Sequence, residues 1–215
     1  VAGATYAWTG PNGFTSSAED PTIASSTTAM SGTYTVVISI GTCSATSSTS
    51  VTVNPSPTAT AGSNSPICAG NTLNLTANTV AGATYVWSGP GSYTSTLEDP
   101  TRPSATTAMS GNYTVTITLG SCTVSSTVAV VVNAVPAATA GSNTPVCSGN
   151  TINLTGNTVA GATYSWTGPG GFTSTLEDPI RPSATTAMAG TYSLTITASG
   201  CTSTTSNTTV VVNTT

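Results

Sequence analysis

The chain has 215 residues, of which 4% are charged, with a formal net charge of −4; ordinary soluble domains carry roughly 25% charged residues. Lysine and histidine are absent and the two cations are Arg102 and Arg181, so there is no basic patch to neutralise phosphate and no nucleic-acid partner is expected. No run approaches the ~18 apolar residues of a membrane span, and no charged segment followed by an apolar one opens the chain, so any export signal is expected outside this stretch.

The text VAGATYAW at residues 1–8 returns as VAGATYVW at 80–87 and VAGATYSW at 159–166. Trp8, Trp87 and Trp166 are thus 79 residues apart, as are Cys43, Cys122 and Cys201. A unit of that length is able to bury a small core by itself, so each copy is expected to be a domain. Residues 1–55 form a partial repeat lacking its first two strands, residues 56–134 a second repeat and residues 135–215 a third. The links NPSPTAT and NAVPAAT are short and carry proline, which stiffens a junction. With its first strands missing, the partial repeat would leave Tyr6, Trp8, Tyr34, Val36 and Ile38 uncovered. Either the chain continues upstream, the favoured alternative, or another subunit donates the strands.

Within the second repeat, residues 58–63 make a candidate edge strand and residues 64–71 a turn. Leu73, Leu75 and Ala77 alternate with Asn74 and Thr76, a core strand; Tyr85 and Trp87 share one face of the next. Residues 88–92 must turn. Weaker strands are expected around residues 98–100 and 104–108. Ser110-Gly111 then leads into Tyr113, Val115, Ile117 and Leu119 on one face with Thr114, Thr116 and Thr118 on the other. Gly120-Ser121 turns into a partner strand with Val124, Val128, Val130 and Val132, completing a hairpin. Helical periodicity and helix caps are missing, so the class is all-β, with about seven short strands per repeat pointing to an antiparallel sandwich.

Chemistry is sparse. Without histidine or lysine there is no ordinary general base beside the many serines, and no enzyme is expected. The carboxylates come as adjacent pairs, Glu19-Asp20, Glu98-Asp99 and Glu177-Asp178, each followed by proline. One pair supplies too few oxygens for calcium, so the pairs are read as turns in which Glu98 or Asp99 reaches Arg102, and Glu177 or Asp178 reaches Arg181; Ile23 stands at that position in the first repeat. No cofactor or metal is expected. The tryptophans are read as core, and Phe14, Tyr93 and Phe172, after the Gly-Pro turns, as the aromatics better placed for exposure. Asn74, Asn112, Asn153, Asn207 and Asn213 each begin an Asn-x-Ser/Thr triplet and are candidate glycosylation sites. Serine and threonine exceed a third of the chain, so hydroxyls rather than ions cover the wet strand faces, a surface that favours lateral association. Five cysteines at repeated positions with no histidine to share a metal favour disulfides in an oxidising place.

The order Leu75, then Trp87, then Ser-Gly-x-Tyr-x-Val at residues 110–115 resembles the immunoglobulin (Ig) fold, with Leu75 and Val115 standing where the inter-sheet cystine stands. The wording Pro-x-Cys-x-Gly-Asn-Thr-x-Asn-Leu-Thr, Tyr-x-Trp-x-Gly-Pro and Gly-x-Cys is similar to the Ig-like and PKD-like tandem repeats of large secreted surface adhesins and filaments of Bacteroidetes. That resemblance covers the whole chain. It implies tandem Ig-like sandwiches, an extracellular cell-surface location, and a structural fibre or adhesin shaft whose partners are neighbouring copies of itself. The alternative is a module that binds surface glycans through the Gly-Pro loops. In the strand order the resemblance implies, Cys68 and Cys122 lie at opposite ends of one sandwich, roughly 20 Å or more apart, beyond a disulfide's reach. Cys68 is therefore expected to pair with Cys201 across a junction, with Cys43, Cys122 and Cys147 pairing beyond this stretch.

Overall fold

The computed structural model describes residues 2–214. In the second repeat the alternating runs form two facing sheets: Ala61–Ser63, Leu73–Ala77 and Thr101–Arg102 in one, and Tyr93–Ser95, Thr84–Gly89, Gly111–Leu119 and Cys122–Val130 in the other. Ile67–Cys68 crosses over to run parallel to Val132–Asn133. The third repeat repeats this arrangement, with Ala140–Ser142, Ile152–Gly156 and Ile180–Arg181 facing Phe172–Ser174, Thr163–Gly168, Gly190–Ala198 and the two strands Cys201–Thr202 and Ser206–Val210. These are tandem Ig-like antiparallel β-sandwiches.

Each core is made by the predicted inward positions. Leu73, Leu75, Trp87, Tyr113, Val115 and Ile117 are sealed between the sheets of the second repeat, and Ile152, Leu154, Trp166, Tyr192, Leu194 and Ile196 between those of the third. Leu75 and Val115 meet the solvent-free centre as aliphatic packing, with no cystine there. Burial of large aliphatic and aromatic side chains of this kind contributes about 1.5–3 kcal/mol each. On the outer face, hydroxyls pair across the hairpin: Thr114 with Thr127 at 2.8 Å and Thr116 with Ser125 at 2.9 Å. Such cross-strand pairs add a few tenths of a kcal/mol or more apiece and hold the ladder without ions.

Each long hairpin strand is locked by its tyrosine. Tyr113 Oη donates to Met109 O at 3.0 Å and Tyr192 Oη to Met188 O at 2.9 Å, four residues upstream. The ring of Tyr113 lies against Gly89, where a Cβ would come within 2.5 Å of Cδ1. Gly111, at φ 139°, brings the backbone under Pro90, so the Gly-Pro turn and the start of the long strand interlock around one phenol.

Two sequence expectations are corrected, and the third repeat adds an irregularity of its own. No strand forms at residues 98–100 or 104–108; the paired segment is Thr101–Arg102, and Thr107–Met109 is a short 3-10 turn that aims Met109 O at the tyrosine. The third repeat carries one extra residue in its last strand. The ladder shifts from Ala198↔Cys201 to Leu194↔Ser206, and the resulting bulge turns Ser203 inward, where its Oγ accepts from Ile196 N at 3.0 Å. In the first repeat Thr15–Ser16, Thr5–Thr9, Gly32–Ile40 and Cys43–Val51 form one sheet, and among the described residues no second sheet lies over it. Tyr6, Trp8 and Ile38 are half-exposed there, but Tyr34 and Val36 are buried, against expectation. Gly10 and Phe14 close over the Tyr34 ring, and Val36 sits between Trp8 and Ser47 on the ladders.

Gly89→Ala is expected to cost about 1–3 kcal/mol, because the added methyl has to displace a fully buried ring. A lowered urea midpoint with unchanged slope reads that effect; a variant as stable as the parent would contradict the interlock.

Candidate functional site at the repeat junction

The second and third repeats are joined through the end of one and the hairpin tip of the next. Ile67–Cys68 and Val132–Asn133 lie side by side at the C-terminal end of the second repeat. From there Cys68 Sγ is bonded to Cys201 Sγ, with the Cα atoms 5.6 Å apart. Asn133 Nδ2 donates to Ser199 O at 2.9 Å beside it. One covalent and one polar contact thus fix the hairpin 199–201 on the base of its neighbour.

The strand directions explain why Cys68 does not bond Cys122. Cys68 is in register with Asn133, whereas Cys122 opens the same hairpin strand beside Leu119. Residues 122 and 133 of an extended strand are roughly 35 Å apart. Among the described residues Cys43 and Cys147 are exposed thiols, and Cys122 is a half-buried one. Cys122 is the counterpart of Cys201, and its hairpin faces the first repeat: a Cβ at Gly120 would lie 3.5 Å from Asn54 Nδ2.

The two arginines do not meet the acidic pairs. Arg102 Nη1 donates to Tyr113 Oη and to Pro90 O, and its guanidinium carbon stands 4.3 Å from the centre of the Tyr93 ring. Arg181 Nη1 donates to Tyr192 Oη at 2.6 Å and to Pro169 O at 2.9 Å, and covers Phe172 at 4.8 Å. Each arginine is thus a brace inside the Gly-Pro loop. The carboxylates serve the opposite sheet instead: Asp99 Oδ1 accepts from Ala77 N and Asp178 Oδ1 from Gly156 N, both at 2.9 Å, while Glu98 and Glu177 accept from the hydroxyls of Thr79 and Thr158.

Tyr93 and Phe172 are correspondingly half-buried. Each packs edge-on against the buried tyrosine of its repeat, at 5.8 and 5.6 Å between ring centres, with an arginine on its face. Phe14 makes the same edge contact with Tyr34 at 5.4 Å. Trp87 and Trp166 are fully buried and donate from Nε1 to Glu98 O and Glu177 O at 3.1 and 3.2 Å. The five triplet asparagines, Asn74, Asn112, Asn153, Asn207 and Asn213, are all exposed.

In the first repeat Tyr6 Oη donates to Glu19 Oε1 at 2.7 Å. That hydrogen bond holds the Glu19 carboxyl below its ordinary range and raises the phenol. The counterparts Tyr85 and Tyr164 make different bonds, accepting from Val80 N and Val159 N.

The junction predicts a thiol count. Protein denatured without reduction should show three reactive thiols, and protein denatured after reduction five; a linked fragment pair containing residues 68 and 201 should appear in a non-reducing digest. Five thiols without reduction would contradict the staple.

No protein-family model matches the chain, and no curated protein matches it. Among solved structures, the three-domain I-band fragment I67–I69 of titin aligns over 99% of this chain and 89% of its own length, with a TM-score of 0.54 at 12% identity. A Glu-to-Ala variant of the same titin fragment gives the same figures. At such identity the likeness is one of fold alone: the chain shares with these structures the architecture of Ig-like sandwiches in tandem.

Proposed function

We propose that this chain is a length of structural shaft in an extracellular, cell-surface fibre or adhesin, built of Ig-like repeats stapled to one another. The observation that carries the reading is the Cys68–Cys201 bond. A disulfide within one sandwich protects that sandwich, but one between repeats governs how load passes along the array. Force applied along the chain enters at Cys68 and leaves at Cys201, so residues 69–200 lie outside the load path. The bond also closes a long loop, with a sequence separation of 133, worth about 5 kcal/mol by the loop-entropy estimate.

Other features support the same role. Disulfides persist in oxidising compartments, which favours a location outside the cell. The chain offers no lysine, and Arg102 and Arg181 each precede proline, so bonds after basic residues are poorly open to proteases. Hydroxyl-covered, nearly uncharged faces suit contact with neighbouring copies, since little charge repulsion opposes it. Binding of glycans through the Gly-Pro loops gains no support from Tyr93 and Phe172, whose faces are covered by Arg102 and Arg181.

Pulling single molecules by their termini tests the reading. In the oxidised chain residues 69–200 should stay out of reach of the force, and reduction should release roughly 450 Å of further extension at about 3.5 Å per residue. Equal extension before and after reduction would refute it.

A further inference from the structure

The two sulfurs of the junction disulfide are not equivalent. Cys201 is 1% exposed although it stands at the tip of a hairpin, whereas Cys68 is half-buried at the end of the two-residue strand Ile67–Cys68. Cys201 follows Ser199 at φ 50° and Gly200 at φ 78°, a tight turn that closes on the Ala198↔Cys201 pair.

One residue holds both arms of the staple. The backbone of Asn133 pairs with Cys68, and Asn133 O accepts from Ala69 N at 2.8 Å. Its side chain seats the opposing turn, with Nδ2 donating to Ser199 O at 2.9 Å. Asn133 thus fixes the strand that carries Cys68 and the turn that carries Cys201 against each other.

These facts decide how the bond exchanges. A thiolate opens a disulfide by attacking one sulfur while the other leaves with the bonding electron pair. Attack on Cys201 would release the better leaving group, since burial raises a thiol's pKa and Cys68 is the less buried of the two. That route requires the attacker to enter a place solvent does not reach. A poor leaving group slows exchange, but an inaccessible sulfur is not attacked at all, so access decides.

We propose that Cys68 is the exchange site of the junction, the sulfur through which an external thiol opens and closes the staple. On opening, the incoming thiolate bonds to Cys68 Sγ, the Cys68–Cys201 bond breaks, and Cys201 leaves as a thiolate that then takes up a proton. Closing is the reverse: the Cys201 thiolate attacks Cys68 Sγ in the mixed disulfide and the external thiolate leaves. Asn133 is a positioning residue that keeps Cys201 covered and aimed at Cys68 in both directions. The inference rests on the staple and not on the shaft reading: a chain lacking the bond would end both, whereas exchange at Cys201 would end this one alone.

Reduced glutathione is added under native conditions to the full chain carrying Cys43→Ser, Cys122→Ser and Cys147→Ser. Samples are quenched in acid, alkylated in denaturant and mapped by mass spectrometry. Among singly glutathionylated chains, glutathione should sit on Cys68 with Cys201 alkylated about tenfold more often than the reverse, because the sulfur attacked is set by access. In denaturant the preference should vanish. Asn133→Ala should speed the native reaction several-fold and weaken the preference, because the freed turn uncovers Cys201. Glutathione mainly on Cys201, an even split in the native chain, or a preference that persists in denaturant would each overturn the proposal. So would an Asn133→Ala chain with rate and preference unchanged, or a staple that opens only as fast as the chain unfolds.

Discussion

One sheet of an Ig-like sandwich has an apolar face that only a second sheet can cover, and most of this molecule follows from meeting that requirement or leaving it open. Where strands such as Leu73–Ala77 and Ile152–Gly156 are present, the tryptophan, tyrosine and aliphatic residues of the long hairpin are sealed. Where no such strand lies, Trp8 remains half-exposed with an orphaned indole nitrogen. The comparison is internal and nearly isosequential, so the difference is assignable to the covering strands rather than to changed core residues.

The same requirement explains how a chain with so little charge is organised. Beside the hydroxyls of the outer faces, several polar side chains tie the two sheets to each other. Asp99 and Asp178 cap the end of the opposite strand, the arginines brace the Gly-Pro loops, and the tyrosine hydroxyls tie strand to turn. The arginines are already engaged by the carbonyls of Pro90 and Pro169 and the hydroxyls of Tyr113 and Tyr192, while the carboxylates accept from the opposite sheet, so the expected arginine–carboxylate pairs do not form.

Much of the fold was legible because its strands are long and their faces differ. Tyr113, Val115 and Ile117 alternate with threonines, and nothing but a half-buried strand has that period. Two-residue strands were not legible: Thr101–Arg102 and Ile67–Cys68 have no period to read, and they are set by the strands they lie against. The bulge at Ser203 depends on one inserted residue that a tolerant hydroxyl-rich strand conceals. The loop aromatics were legible as neighbours of a turn but not as occupied surfaces, since the arginine that covers Tyr93 is nine residues away in sequence. At the junction, the ordering of strands limits which cysteines can meet, whereas the accompanying contact of Asn133 with Ser199 is visible only in three dimensions.

The central claim is that the Cys68–Cys201 bond makes two sandwiches move as one body. Residual dipolar couplings measured separately for the second and third repeats test it directly. In the oxidised chain both repeats should report one alignment tensor of equal magnitude and orientation, and reduction should split it into two. Two different tensors in the oxidised protein would show that the repeats reorient freely despite the bond, and would contradict the account.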